Sequence, residues 1–362
     1  MSSGVVGAIH GGAAASASEA PRPVRLGDAT LPFPSPSLGR LVDSTDAWAS
    51  ADAARLRADF AANGYVFIRG LIPPAAVAAA RAHVLASLPP GVLAAAPGGA
   101  GADAAGAGAA GAAGAADDAL LAPRCGLGCV PFMEGRNAVT HAPAVLRVLE
   151  APELRAAAEA LLGERAVPFD YKWLRGVPRQ GFTGVHVDAV YMARGSARVL
   201  TSWLPLDPAA PLERGALAVL GRSHAAPSLA RFRATYGALD VERAGVAGTG
   251  WFGTDPLEVA ALAGATADGV RWETADFRGG DALLFGLLTA HASTVNVTDA
   301  LRLSADVRWS PASEPVDARY VGSAEEVDPS QRARAGAWAA DGAPPPAAVT
   351  VDALKQTWAL GA

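Results

Sequence analysis

His186 and Asp188, in the stretch GFTGVHVDAVYM, are the first residues along the chain whose types and spacing offer chemistry. On an extended segment, residues i and i+2 project from the same face, so this imidazole and this carboxylate can converge on one point. A second imidazole, His291, stands far downstream in DALLFGLLTAHAST, an apolar run with a polar end. A fold that pairs distant strands brings it beside the first two. Two imidazoles and one carboxylate on one face hold Fe(II) and leave coordination positions open, the pattern of non-haem oxygenases. The open positions accept a chelating co-substrate and O2. Arg302 follows His291 by eleven residues, in LRLSADVRW, and Ser304 shares its strand face. A guanidinium is a planar fork that binds a carboxylate bidentately and keeps its charge when buried. Arg302 is therefore the expected carboxylate clamp, with Ser304 as a further donor.

Other residues join this constellation by position. Lys172, one of only two lysines in the chain, lies in DYKWLR and is expected to pair with a carboxylate of co-substrate or substrate. Thr201 and Trp203, in RVLTSWLPL, are expected to line the co-substrate pocket. Tyr191, Met192 and Arg194 follow the His-x-Asp pair and are read as facing substrate. Arg124 and Asn137 are expected in a lid. His10, His83, His141 and His224 are read as structural or surface residues. Cys125 and Cys129 are the only cysteines, too few for a zinc site or a disulfide scaffold.

The elements that must position these residues change character along the chain. Residues 1–44 are rich in Ser, Ala, Gly and Pro and read as a disordered or organelle-targeting tail. A single domain is expected over 45–325. It opens with a helix from Asp46 that stops at Gly64, a short buried strand YVFIRG, and a helix begun by Pro73 and Pro74. A low-complexity insertion occupies about 92–118, and too little of it is apolar to offset the entropy of ordering. Helical spacing returns over 143–163. From about 166 short strands follow one another: VPFDYKWLR, GVHVDAVYM, RVLTSWLPL, GALAVLGRSH, GVRWETADF, DALLFGLLT, STVNVT and LRLSADVRW. Helices first and strands second, with frequent Gly, Pro and Asp turns, predict an α+β, mainly β fold of sandwich or jelly-roll type. Residues 326–362 read as a C-terminal extension. A formal net charge of −5 excludes a chain-wide basic surface for nucleic acid, and no long apolar run spans a membrane.

The combined pattern resembles the phytanoyl-CoA dioxygenase family of Fe(II)/2-oxoglutarate oxygenases. HVD at 186–188, His291 and Arg302 carry the likeness, together with GYVFIRGLIPP at 64–74, SWLPLDPAAPLERGALAVLGRSH at 202–224 and GGDALLFGLLTAHAS. It covers about residues 50–310. Gly221-Arg222 where Pro-Gly is usual, and ERG in place of the common Asn-Gly, are departures at loop positions. The resemblance implies a double-stranded β-helix (jelly roll) with flanking N-terminal helices. It implies Fe(II) as cofactor, 2-oxoglutarate as co-substrate, and oxidative decarboxylation to succinate and CO2 coupled to oxidation of a small organic substrate. His186, Asp188 and His291 would bind the iron; Arg302, with Ser304, would hold the distal carboxylate of 2-oxoglutarate. Related halogenases carry a small residue at the carboxylate position, so Asp188 favours hydroxylation. Two other readings remain open here: a catalytically inactive jelly-roll binding protein, and a cupin-type metalloenzyme that does not use 2-oxoglutarate.

Overall fold

The computed structural model describes residues 20–94, 119–123, 125, 127–131, 133–192, 194–264, 268–322 and 349–360. The expectations for residues 1–19, most of the insertion, Arg124 and most of the C-terminal extension fall outside them. The later part of the expected tail is corrected. Strands β1 (Arg22–Leu26) and β2 (Ala29–Phe33) form an antiparallel hairpin, and β3 (Leu38–Arg40) joins a sheet. Val24 and Leu26 on one strand, and Leu31 and Phe33 on the other, are buried while the residues between them are not. That period-two alternation, masked by the Ser/Pro-rich composition, is what orders the segment.

The first expected helix is two. α1 (Thr45–Ala49) ends before Ala51, which takes a positive φ of 53°, and Asp52 restarts the chain as α2 (Ala53–Asn63) by accepting the Arg55 backbone N–H. α2 stops, as its spacing predicts, at Gly64 with φ 86°. β4 (Tyr65–Ile68) follows. Helices α3 (Pro74–Ala86), α4 (Pro143–Leu149) and α5 (Pro152–Leu162) each start on a proline, whose missing N–H costs nothing there. Along α5, Leu154, Ala157, Ala158 and Leu162 bury one face at helical spacing.

The strands that follow are β5 (Ala166–Pro168), β6 (Trp173–Val177), β7 (Leu200–Pro205), β8 (Ala209–Ala210), β9 (Leu217–Gly221), β10 (Arg271–Thr274), β11 (Phe277–Arg278), β12 (Ala282–Gly286), β13 (His291–Ser293) and β14 (Arg302–Pro311). The major sheet runs β4-β12-β7-β14-β5, with β6 also paired to β14; the minor sheet runs β13-β9-β10-β3; β8 and β11 pair separately. All pairings are antiparallel except β3 with β10. Residues 185–192 correct another expectation. The stretch enters strand pairing only through isolated bridges at Val185 and His186 and then turns into a short helix, Ala189–Met192.

The architecture is an α+β jelly roll that does not close into a barrel. One apolar cluster fills the space between the sheets, with Tyr65, Trp203 and Phe285 from the major sheet and Ala218, Trp272 and Ala292 from the minor. A second packs the outer face of the major sheet on the helices, through Leu303, Ala305, Val307 and Trp309 of β14 and Val145, Leu149 and Leu154 of α4 and α5. The alternate residues of β14, Arg302, Ser304, Asp306, Arg308 and Ser310, therefore face inward, and all five are buried.

Candidate metal centre

The two histidines meet because their backbones do. His186 N–H donates to the His291 carbonyl at 3.0 Å, and His291 N–H donates back to His186 at 2.9 Å. Residues opposite each other in such a pair point their side chains to the same face, a few ångströms apart. The imidazole centroids are 4.1 Å apart. Gly184 lets residues 251–253 close against this stretch: a Cβ there would lie 2.5 Å from the Trp251 ring and 2.8 Å from the Gly253 carbonyl oxygen. Asp188 completes the group at the turn into the short helix. Its Oδ1 is 3.8 Å from Nε2 of His186 and 3.8 Å from Nε2 of His291. Among the described residues this is the one cluster of three or more such side chains, its ligand atoms all within 4.8 Å of one another.

The donor set fits a divalent transition metal. Nδ1–H of His186 donates to the Gly184 carbonyl at 2.9 Å, and Nδ1–H of His291 to the Thr289 carbonyl at 3.0 Å. Those bonds fix the tautomer and leave both Nε2 lone pairs directed at the Asp188 carboxylate. Burial, then the neighbouring His291, lowers the His186 pKa to about 3; burial also lowers that of His291. Both rings are therefore neutral ligands near pH 7. Burial alone would raise the Asp188 carboxyl, but Arg308, the two imidazoles and Thr201 hold it well below the usual carboxylate range. A neutral–neutral–anionic set of nitrogens and oxygen suits non-haem Fe(II).

Arg302 also has the surroundings of a ligand-binding group. It is 2% exposed, its Nη1 donates to Ser304 Oγ, and its guanidinium carbon lies 5.9 Å from the Trp203 ring centroid. Its buried Nε has no hydrogen-bond partner, and among the described residues no carboxylate forms an ion pair with it. Burial, then Arg175, pulls its pKa down to about 10. A buried cation so short of counter-charge suits an anionic ligand such as the distal carboxylate of 2-oxoglutarate.

The remaining expected residues separate. Thr201 donates to Asp188 Oδ2 at 2.5 Å, so its hydroxyl is committed to the carboxylate. Trp203 packs between Arg302 and Phe277. The Tyr191 ring lies 5.7 Å from that of His186, and its hydroxyl donates to the Thr249 carbonyl. Lys172 is a correction: its ammonium is wholly buried, pairs with Glu150 at 2.7 Å and donates to the Phe169 carbonyl at 2.6 Å, at the helical side of the fold. Met192 is a core residue at 2% exposure, and Arg194 is taken up by Asp240 at 2.6 Å and Glu242 at 3.3 Å; neither is free to meet substrate. Asn137 accepts the Val139 and Thr140 backbone N–H groups, a turn role.

Sequence reasoning missed a charge network behind Asp188, buried at Arg308 and Asp306 and partly exposed at Arg175 and Glu134. Arg308 Nη2 donates to Asp188 Oδ2 at 3.1 Å and its Nη1 to Asp306 Oδ2. Arg175 lies 3.4 Å from Asp306 and 2.9 Å from Glu134. The legible signal was β14 itself, whose alternate positions are all polar in a strand otherwise apolar enough to be central.

The phytanoyl-CoA dioxygenase (PhyH) family model matches residues 60–304. The chain is similar to several solved structures. They include the non-heme alpha ketoglutarate dependent epimerase SnoN from nogalamycin biosynthesis (20% identity over 77% of this chain and 90% of that one, TM-score 0.46). Another is EctD from S. alaskensis (17% identity, 83% and 87% covered, TM-score 0.47). A third is EvdO2 from Micromonospora carbonacea var. aurantiaca complexed with 2-oxoglutarate (16% identity, 76% and 96% covered, TM-score 0.43). No curated protein sequence matches. The family match takes in more than half of the chain and includes the histidine pair, Asp188, Arg302 and Ser304, so the chain belongs to the phytanoyl-CoA dioxygenase family.

Proposed function

We propose that the chain is an Fe(II)- and 2-oxoglutarate-dependent dioxygenase that hydroxylates a small organic substrate, with His186, Asp188 and His291 as the iron ligands. The observation that carries the reading is the convergence of two fixed Nε2 lone pairs and Asp188 Oδ1 on one face, in a chain that also buries an arginine without a carboxylate partner. When bound, Fe(II) supplies the redox chemistry that couples O2 and 2-oxoglutarate decarboxylation to substrate oxidation.

The protein's part is binding, orientation and exclusion of water. The paired carbonyls of Gly184 and Thr289 keep each imidazole from rotating. Phe285, with its ring 4.6 Å from that of His291, and Tyr191 on the His186 side wall off the ligands. Arg302 holds the distal carboxylate of 2-oxoglutarate, and Ser304, whose oxygen already accepts from Arg302, turns its own O–H to the same ligand. Tyr191, whose ring lies 5.7 Å from that of His186, is placed to touch substrate.

The test is anaerobic Fe(II) and 2-oxoglutarate binding, followed by succinate release on admitting O2. His186→Ala, Asp188→Ala and His291→Ala should each abolish succinate formation. Near-normal turnover in any of them removes that residue from the ligand set, and turnover independent of 2-oxoglutarate sinks the reading.

A further inference from the structure

We propose that Arg308, anchored by Asp306, is the positioning residue of the metal centre: it holds Asp188 so that one carboxylate oxygen faces the imidazoles and the other is turned away. The inference rests on the reading of His186, Asp188 and His291 as that centre. Asp188 Oδ2 accepts two hydrogen bonds, from Thr201 Oγ1 at 2.5 Å and from Arg308 Nη2 at 3.1 Å. Oδ1 is left at 3.8 Å from each Nε2. With Oδ2 committed to two donors, the carboxylate can offer only Oδ1 to a cation.

The guanidinium is itself fixed from three directions. Its second arm is bound to Asp306, its plane lies over the Trp173 ring with the guanidinium carbon 3.8 Å from the centroid, and it is 3% exposed. Asp306 in turn meets Arg175 at 3.4 Å, and Arg175 meets Glu134 at 2.9 Å. Carboxylate and guanidinium thus alternate from Glu134 to Asp188. Glu134 lies beside Gly135, whose backbone pairs with that of Lys172. A buried arginine of this kind is costly unless both arms are satisfied, so its position is set by the carboxylates at either end.

Orientation and charge make opposite predictions for metal affinity. An arginine beside the centre repels a divalent cation, so removing it would tighten binding if charge alone mattered. If it positions Asp188, removing it weakens binding, as loss of outer partners of metal ligands generally does, by about 10–100-fold. The experiment is titration of the metal-free, full-length protein with Co(II), followed by visible absorption, which reports both affinity and coordination geometry. Folding is checked by thermal melts. Arg308→Met should bind Co(II) about 10–100-fold more weakly than the parent with an altered visible spectrum. Arg308→Lys should recover part of the loss. Asp306→Asn, which leaves the arginine and frees its anchor, should also weaken binding and carries the test should Arg308→Met fail to fold. Binding as tight as the parent or tighter, with an unchanged spectrum, in Arg308→Met or Asp306→Asn overturns the proposal. Failure of the parent to bind Co(II), or undiminished binding by His186→Ala, overturns the metal centre instead.

Discussion

Replacing Arg302 by methionine should move two quantities in opposite directions. Arg302 is a fully buried cation whose pKa is pulled from its ordinary value down to about 10, chiefly through burial. A lowered pKa for a base means that the folded state disfavours the charged form. Arginine is charged at neutral pH in the folded and unfolded chain alike, so the penalty is present throughout the working range. It amounts to about 3 kcal/mol at ~1.36 kcal/mol per pKa unit. Methionine fills much the same volume without that cost, but forfeits the bond to Ser304 and the contact with Trp203. The ligand-free variant should therefore melt a few degrees higher than the parent, at roughly 2–4 °C per kcal/mol for domains of about 150–250 residues. The same variant should lose the charge-assisted clamp on 2-oxoglutarate, on the order of 1.5–3 kcal/mol, or about 10–150-fold in affinity. Thermal melts with and without 2-oxoglutarate, in the presence of Mn(II) to avoid turnover, measure both. A variant that is less stable when empty yet keeps its stabilisation by 2-oxoglutarate would show that the arginine is a structural ion and that the clamp lies elsewhere.

Other expectations follow from the same structure. Lys172→Met should leave the 2-oxoglutarate requirement of succinate formation unchanged, because that ammonium serves Glu150 and the Phe169 carbonyl; a raised requirement would return Lys172 to the site. Tyr191→Ala should raise the KM for substrate once one is found while leaving substrate-free 2-oxoglutarate turnover within about threefold, since the ring borders His186 without binding the metal; equal loss of both would place Tyr191 in the centre itself. Deleting residues 20–44 removes six buried apolar side chains (Val24, Leu26, Leu31, Phe33, Leu38 and Leu41). At about 1.5–3 kcal/mol each that approaches the whole stability of a domain, so the shortened chain should not fold; a cooperative melt at the parent temperature would refute the packing role of the hairpin.

What the sequence made legible was local or carried by spacing. The α2 terminus at Gly64 and the start of α3 at Pro74 follow from φ preferences and proline's missing N–H, and both appear where those rules put them. The convergence of His186, Asp188 and His291 was legible from residue type, although Asp188 reaches the group from a turn and not from a strand. The hairpin over 22–33 was not, because its alternation is only five residues long on each strand and lies in a Ser/Pro-rich composition. Lys172 was misplaced for a different reason. Its strand neighbours predict a face, but its partner Glu150 caps the end of α4, and nothing local says that the end of that helix lies over this residue.

Two arginines share one strand face. Arg302 and Arg308 are both buried, both inward on β14, and both beside a tryptophan. By residue type and parity they are interchangeable. They differ in counter-charge: the Nε of each lacks a hydrogen-bond partner, but Arg308 is bound by Asp306 and Asp188, whereas Arg302 has only a serine. A guanidinium held by two carboxylates has little left to offer an incoming anion, and one with none gains from binding it. The strand thus carries two similar side chains, one bound to Asp188 and one with no carboxylate partner among the described residues, and the proposed roles follow that difference. Only the packing of segments far apart in sequence decides which is which, since Asp188, the group that consumes Arg308, arrives from a turn more than a hundred residues upstream.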